Sequence, residues 1–436
     1  MQNEATRTPT RIDHGSAFAA GLSSEIKARF HHVDHDFMGR ERLYFENAGG
    51  SLRLKAALEA VVRVDAVPDS AERIHEVAAW LKQVQVRGLA DVRLMLNASG
   101  GTVHASLTAS GAMFDMVRAV AEHVPGDNIV TTVLEHPSSY DAASYYAQQL
   151  GKQLRVAPSN PVSGGIDVEE IVKLIDERTC VLVLIYASNI SGAKLELERA
   201  VRRAREVKPD LYIIVDAVQH APHGLIDLET TPVDGINIAP YKFFGCRGSG
   251  FSWLSERAAV LPHHRLAGKH ADFWDLGSSA PWQFAVISEI VDYVCWIGGH
   301  FTDEKDRRAL FACGMERIGL HERALLARLL EGSAREPGLR HIDGVTVLLD
   351  HDDLPRRDLI LAIAIEGLEH TQAVREYEKR GVIVYERVAT SIYSGRMLDS
   401  LGLEGAVRVS PLHCHTFEDV DRFLEVTREI CATMAS

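Results

Sequence analysis

An apolar, β-branched run, Leu211-Tyr212-Ile213-Ile214-Val215, closes on an acid, Asp216. Such a run reads as a strand buried on both faces, the habit of a parallel sheet. Open α/β sheets bind ligands just beyond the C-terminal ends of their strands. Asp216 is therefore expected at a binding edge. A second apolar segment, Gly235-Ile236-Asn237-Ile238-Ala239, is followed by Lys242 and then by Gly245, Gly248 and Gly250. Those glycines permit tight turns and close backbone approach. Strand patterns at residues 128–134, 153–157 and 180–187 alternate with helical patterns. The alternation predicts the α/β class with a mostly parallel sheet.

An acid closing one strand and a lysine closing a later one suit a cofactor held between them. Pyridoxal 5'-phosphate (PLP) needs this pair. The lysine forms the Schiff base, and the acid keeps the pyridine nitrogen protonated so that the ring acts as an electron sink. The stretch 215–250 resembles the class V aminotransferases of PLP fold type I, the group containing cysteine desulfurases, kynureninases and isopenicillin epimerases. The resemblance extends over roughly residues 40–430. It implies a PLP-dependent transferase fold type I, with a seven-stranded, mostly parallel sheet in a large domain and a smaller α+β domain. The expected division is an N-terminal arm over 1–40 that belongs to the small domain, a large PLP-binding domain over 41–300, and a C-terminal small domain over 301–436.

The resemblance also implies roles for individual residues. Tyr44-Phe45-Glu46-Asn47-Ala48-Gly49-Gly50-Ser51 resembles the family's opening motif, which brings Asn47 and Ala48 to the substrate. Ser110-Gly111-Ala112 resembles a phosphate-binding helix start, so Gly111, Ala112 and Met113 are expected at the phosphate, Met113 standing where a hydroxyl residue is usual. Glu135-His136 matches a pair whose histidine stacks on the pyridine ring. Ser188-Asn189 puts Asn189 near the ring oxygen, and Gln219 hydrogen-bonds that oxygen. Tyr241 is expected to bond the phosphate. Gly277-Ser278-Ser279 matches a region whose hydroxyl reaches the phosphate of the neighbouring subunit, so Ser278 implies a homodimer with the site at its interface. Val407-Arg408-Val409-Ser410 resembles a strand whose arginine clamps the substrate α-carboxylate bidentately.

One departure bears on the chemistry. The loop 385–394 lies where the closest desulfurases carry a nucleophilic cysteine, and it has none. Thr390 stands near that position and Arg387 close by, a second candidate for substrate binding. A hydroxyl cannot take up sulfur as a persulfide, which requires a thiolate. The expectation is thus a desulfurase-like PLP enzyme that acts at Cα or Cβ of an amino acid through an external aldimine. Lys242 serves as acid–base, with Asp216 and His136 completing the catalytic set. A C–S or other β-eliminating lyase ranks first, a class V aminotransferase or epimerase second. A non-catalytic scaffold of the same fold is the rival of another class, and the intact Asp216, Gln219 and Lys242 argue against it.

Composition narrows the setting. The 436 residues are 46% hydrophobic and 25% charged, with a net charge of −13. That charge argues against nucleic-acid and anionic-membrane partners. No apolar run reaches a membrane span, and the opening MQNEATRTPTRIDHGS has no apolar signal core. Six scattered cysteines suggest free thiols in a reducing cytoplasm, without disulfides or a zinc site. His31, His32 and His35 could hold a metal and residues 350–353 a cation, but both read first as solvated groups, and His413-Cys414-His415 has no regular metal spacing.

Overall fold

The computed structural model describes residues 14–435. Most of the polar opening segment, residues 1–13, lies outside the described residues. The chain enters through a two-residue strand, β1 (Leu43–Tyr44). The large sheet then takes β2 (Thr102–Ser106), β3 (Asn128–Thr132), β4 (Gln153–Ala157), β5 (Thr179–Ile185), β6 (Tyr212–Asp216), β7 (Gly235–Ile238) and β8 (Gly250–Leu254). Its order is β2-β8-β7-β6-β5-β3-β4. All neighbours are parallel except around β8, which runs antiparallel to both β2 and β7. The expected seven-stranded, mostly parallel sheet is present. β5 and β7 are buried along their whole length, which explains their unbroken apolar character.

The second sheet has four strands: β9 (Val345–Leu348), β10 (Leu361–Ile365), β12 (Tyr385–Val388) and β13 (Gly405–Val409), in the order β12-β13-β10-β9, all antiparallel. Between them in sequence, β11 (Val382–Ile383) pairs in parallel with β1. Leu43 and Phe45 therefore join the apolar cluster of the second sheet, with Leu361, Ile363, Val407 and Phe423. The arm packs differently from its expected place in the small domain. Phe18, Ile26 and Phe30 belong to the cluster of the large sheet, while Phe30 also packs edge-on to His413 and Lys27 pairs with Asp419. The helix Arg307–Glu331 gives Phe311, Met315 and Ile318 to the first cluster and Leu325 to Leu330 to the second. The change of core thus falls inside that helix and not at residue 300. Among the described residues no helix is long and apolar enough to cross a membrane.

The helix after β2 begins at Ala109, where Thr108 caps it by accepting the Gly111 N–H at 3.0 Å. His75 caps the helix Glu76–Leu96, and Ile74 before it and Val77 in its first turn are exposed. Ala78 and Leu81 are buried as the period requires.

β8 meets the capped helix at Gly250. A Cβ there would lie 2.1 Å from the Ala109 nitrogen, inside any tolerable contact. Gly250 thus lets strand and helix start press together at the sheet's binding edge. Gly250→Ala should lower stability by about 1–3 kcal/mol through overpacking against backbone. Urea unfolding followed by circular dichroism checks this, and an unchanged midpoint would contradict it.

Candidate active site

Five strand ends converge on one cavity of about 350 Å3. β6 delivers Asp216 as its last residue. β7 ends at Ile238, and the turn after it brings Lys242 to the rim. β5 is followed by Asn189, β3 by His136, and β2 by residues 107–110. All arrive from C-terminal strand ends, where parallel sheets gather ligand-binding groups. The structure brings Lys242, Asp216, Gln219, His136, Asn189 and Tyr241 together around this cavity, as expected.

The lysine turn is tightly specified. The Lys242 N–H donates to Ala239 O at 3.0 Å, and the Gly245 N–H to Pro240 O at 2.8 Å. Phe244 takes a left-handed φ of +63°, which an ordinary residue adopts only under constraint. The constraint is visible. The Phe244 N–H donates to Ser51 Oγ at 2.9 Å, its carbonyl accepts from Leu54 N at 2.8 Å, and its ring is fully buried. The opening motif thus braces the lysine turn.

Lys242 is buried, and its Nζ donates to Gln219 Oε1 at 2.9 Å. Burial first, and then the charge of Arg408, push its amine down to about 7, against the pull of Asp216. Asp216 accepts Ser139 Oγ at 2.8 Å and the Val218 N–H at 3.0 Å. His136 caps the helix Pro137–Gln149, with Nδ1 accepting the Ser138 N–H at 3.2 Å. That bond assigns the ring proton to Nε2. Burial holds the imidazole neutral, its titration pushed down to about 4. Tyr393 stacks against it from the loop after β12, with ring centres 6.2 Å apart.

The helix start reaches the cavity with residues just before those expected there. Thr108, Ala109 and Ser110 line the cavity, whereas Gly111, Ala112 and Met113 do not. The reason is the cap. The Gly111 N–H is spent on Thr108 Oγ1, the Ala112 N–H on Thr108 O, and the Met113 side chain is buried in the apolar core. Ala109 and Ser110 sit in the first turn, where the helix supplies no carbonyl to its N–H groups. Ser249 Oγ is buried without a partner beside them, and Arg247 lines the same cavity. The Arg247 guanidinium lies 4.4 Å from the centre of the Tyr241 ring. Free amides, an orphan hydroxyl and a guanidinium suit an anionic group. A buried amine facing a carboxylate suits a pyridine aldehyde. The residues present therefore fit PLP.

Other assignments change with the geometry. Asn47 is spent on structure: its Nδ2 donates to Tyr44 O and Ser410 O, and its Oδ1 accepts the Leu52 N–H. Ala48 is buried and its N–H donates to Ser410 Oγ. Neither lines the cavity, because both fasten the opening motif to the end of β13. Glu46, next to Asn47 in the opening motif, points at Arg408 and pairs with it. Arg408 is buried, and its Nη1 donates to Asn189 O at 2.9 Å. Arg387 is buried nearby and donates to Tyr393 O at 2.7 Å. Neither arginine lines the cavity itself; Arg408 sits behind Asn189. Ser278 is exposed on a second cavity that shares only Leu107 with the first. Ser139 and Glu46 were not legible, since neither belongs to a strand-end pattern.

The family model for Aminotransferase class-V matches residues 43–423. The chain is 30% identical over 222 residues to probable cysteine desulfurase 2 of Mycobacterium leprae, covering 50% of each. It is 24% identical over 416 residues to a probable cysteine desulfurase of Mycolicibacterium paratuberculosis, covering 93% of this chain. The matched stretches span 50% and 58% of those two relatives' own lengths. Its fold is similar to the apo structure of a cysteine desulfurase from Thermococcus onnurineus NA1, with a TM-score of 0.76 at 19% identity, over 90% of this chain and 95% of that one. A lysine and an acid set around one cavity at the rim of a seven-stranded sheet, within a family match that spans most of the chain, place it in the class-V aminotransferase family of PLP-dependent enzymes.

Proposed function

We propose that this chain is a lyase that eliminates a group, sulfur first among them, from Cβ of an amino-acid substrate. The observation that carries this is the shared cavity of Lys242, Asp216 and Gln219, on a desulfurase-like scaffold with no cysteine among the residues lining that cavity. PLP, when bound, supplies an electron sink for a bond broken at Cα. Asp216, held by Ser139 and the Val218 amide, is oriented to keep the ring nitrogen protonated. The neutral His136 ring offers a flat face above the cavity. The Lys242 amine, poised near neutrality, takes the Cα proton. The Cβ–S bond then breaks, and its electron pair leaves with sulfur as the thiol. For L-cysteine the balance is one water consumed, with pyruvate, ammonia and hydrogen sulfide formed.

A thiol to accept sulfur is missing from the site. Cys246, four positions after Lys242, is only half-buried, does not line the cavity, and its thiol is pushed up by burial. The remaining cysteines stand elsewhere. The enzyme is further proposed to act as a homodimer in the cytoplasm. The exposed Ser278, facing a cavity next to the first, supports the dimer, and six free thiols support the compartment.

Incubated with L-cysteine, the PLP-loaded protein should release pyruvate and sulfide in equal amounts, and Lys242→Ala should lose this by at least about a thousandfold. Alanine with a persulfide on the protein would contradict the proposal. Keto-acid exchange would point to transamination, and loss of the Cα deuteron without net change to epimerisation. A colourless protein that takes up no PLP would favour the scaffold reading. The rate at which cofactor-free protein takes up PLP should rise with pH through a midpoint near 7, because the amine must be neutral to react and burial lowers its titration. Stopped-flow absorbance checks this; a midpoint near that of an exposed lysine would contradict it.

A further inference from the structure

Resting on that reading of the reaction, we propose that Glu46 is a resident stand-in for the substrate carboxylate. It holds the Arg408 guanidinium until a carboxylate-bearing amine displaces it, and so sets how strongly the site prefers α-amino acids to plain amines.

Among the described residues Arg408 is the largest fully buried side chain. A guanidinium in that position stays charged and needs a counter-ion. Among the described residues the one ion pair it makes is with Glu46, through Glu46 Oε1 and Arg408 Nη2. Arg408 Nη1 is engaged by Asn189 O, and Nε is buried with no partner. Nε and Nη2 form one side of the guanidinium fork, built to take both oxygens of a carboxylate. Glu46 fills half of it. Its other oxygen lies 3.5 Å from the Tyr44 hydroxyl, at the limit of a hydrogen bond. An incoming carboxylate that engages both nitrogens therefore has an advantage over the resident one.

The pair is built into the fold. Glu46 bridges to Ser410, two residues beyond Arg408. The Ser410 N–H donates to Phe45 O at 2.7 Å, and Asn47 locks to Ser410 O. Backbone on both sides of Glu46 is thus tied to the end of β13. Gly49 leaves the room it needs, since a Cβ there would lie 2.3 Å from Glu46 Oε1. The Glu46 side chain is still 15% exposed, against 2% for Arg408, so a path to water is open when it is displaced. Arg408 Nη1 is bonded to Asn189 O, and Asn189 lines the cavity that holds Lys242, which puts the exchange beside the reacting group.

The test is a titration of PLP-loaded protein with L-alanine and with ethylamine, which lacks the carboxylate, followed by the visible absorbance of the cofactor. In Glu46→Gln the L-alanine Kd should fall by about tenfold, the worth of a charge-assisted bond no longer contested, while the ethylamine Kd changes by less than about twofold. Should the neutral side chain leave Arg408 uncompensated and the protein unfolded, Glu46→Asp is measured the same way. It keeps the charge but is one methylene short, and a tightening for L-alanine alone, of at least about threefold, supports the assignment. Equal or weaker L-alanine binding, or equal tightening of both ligands, overturns it. If neither ligand perturbs the cofactor of the wild-type protein, the reading of the reaction falls and takes this one with it. If both perturb it but their ratio does not move in the variants, only the role of Glu46 falls.

Discussion

The molecule depends on keeping one amine out of water. Lys242 is enclosed on a turn after β7, and a lysine so placed carries its proton only at a cost. Its surroundings are balanced, not neutralising. Asp216 and Glu46 favour the charged amine, Arg408 and Arg387 oppose it, and burial, which also opposes it, is the largest single influence. The result is an amine poised near neutrality, useful as a nucleophile toward an aldehyde and as a base at carbon.

Much of the architecture serves that poise. The Phe244 turn would not hold in isolation, and it is fixed by Ser51 and Leu54 from the opening motif. That motif is anchored in turn to β13 by Asn47 and Ala48. The same anchoring delivers Glu46 to Arg408. Residues separated by most of the chain therefore meet in one network spanning both sheets. A disturbance at the opening motif is felt at the lysine turn and at the arginine together.

How much of this could be read from residues alone follows from its physics. Asp216, Lys242, Asn189 and His136 were legible because each follows an apolar strand, and strand ends of a parallel sheet converge at one edge. Gln219 was legible from its motif. Thr108, Ala109 and Ser110 stand at the cavity and Gly111, Ala112 and Met113 do not, because the helix starts where Thr108 can cap it. Asn47 looked like a substrate contact because small and polar residues at a turn suit both roles; only its hydrogen bonds separate them. Glu46 and Ser139 were beyond reach, since each acts through a partner distant in sequence. The arm was assigned by chain order, yet Phe18, Ile26 and Phe30 follow the larger apolar surface.

The central claim is that Lys242 and Asp216 face a single pyridine ring from the same cavity. Nitrogen NMR of protein loaded with PLP labelled at the ring nitrogen tests it most directly. The account predicts a nitrogen that stays protonated well above the pH at which the free cofactor loses its proton, and that reverts to the free behaviour in Asp216→Ala. A nitrogen that titrates in the wild-type protein as it does in free solution would contradict it.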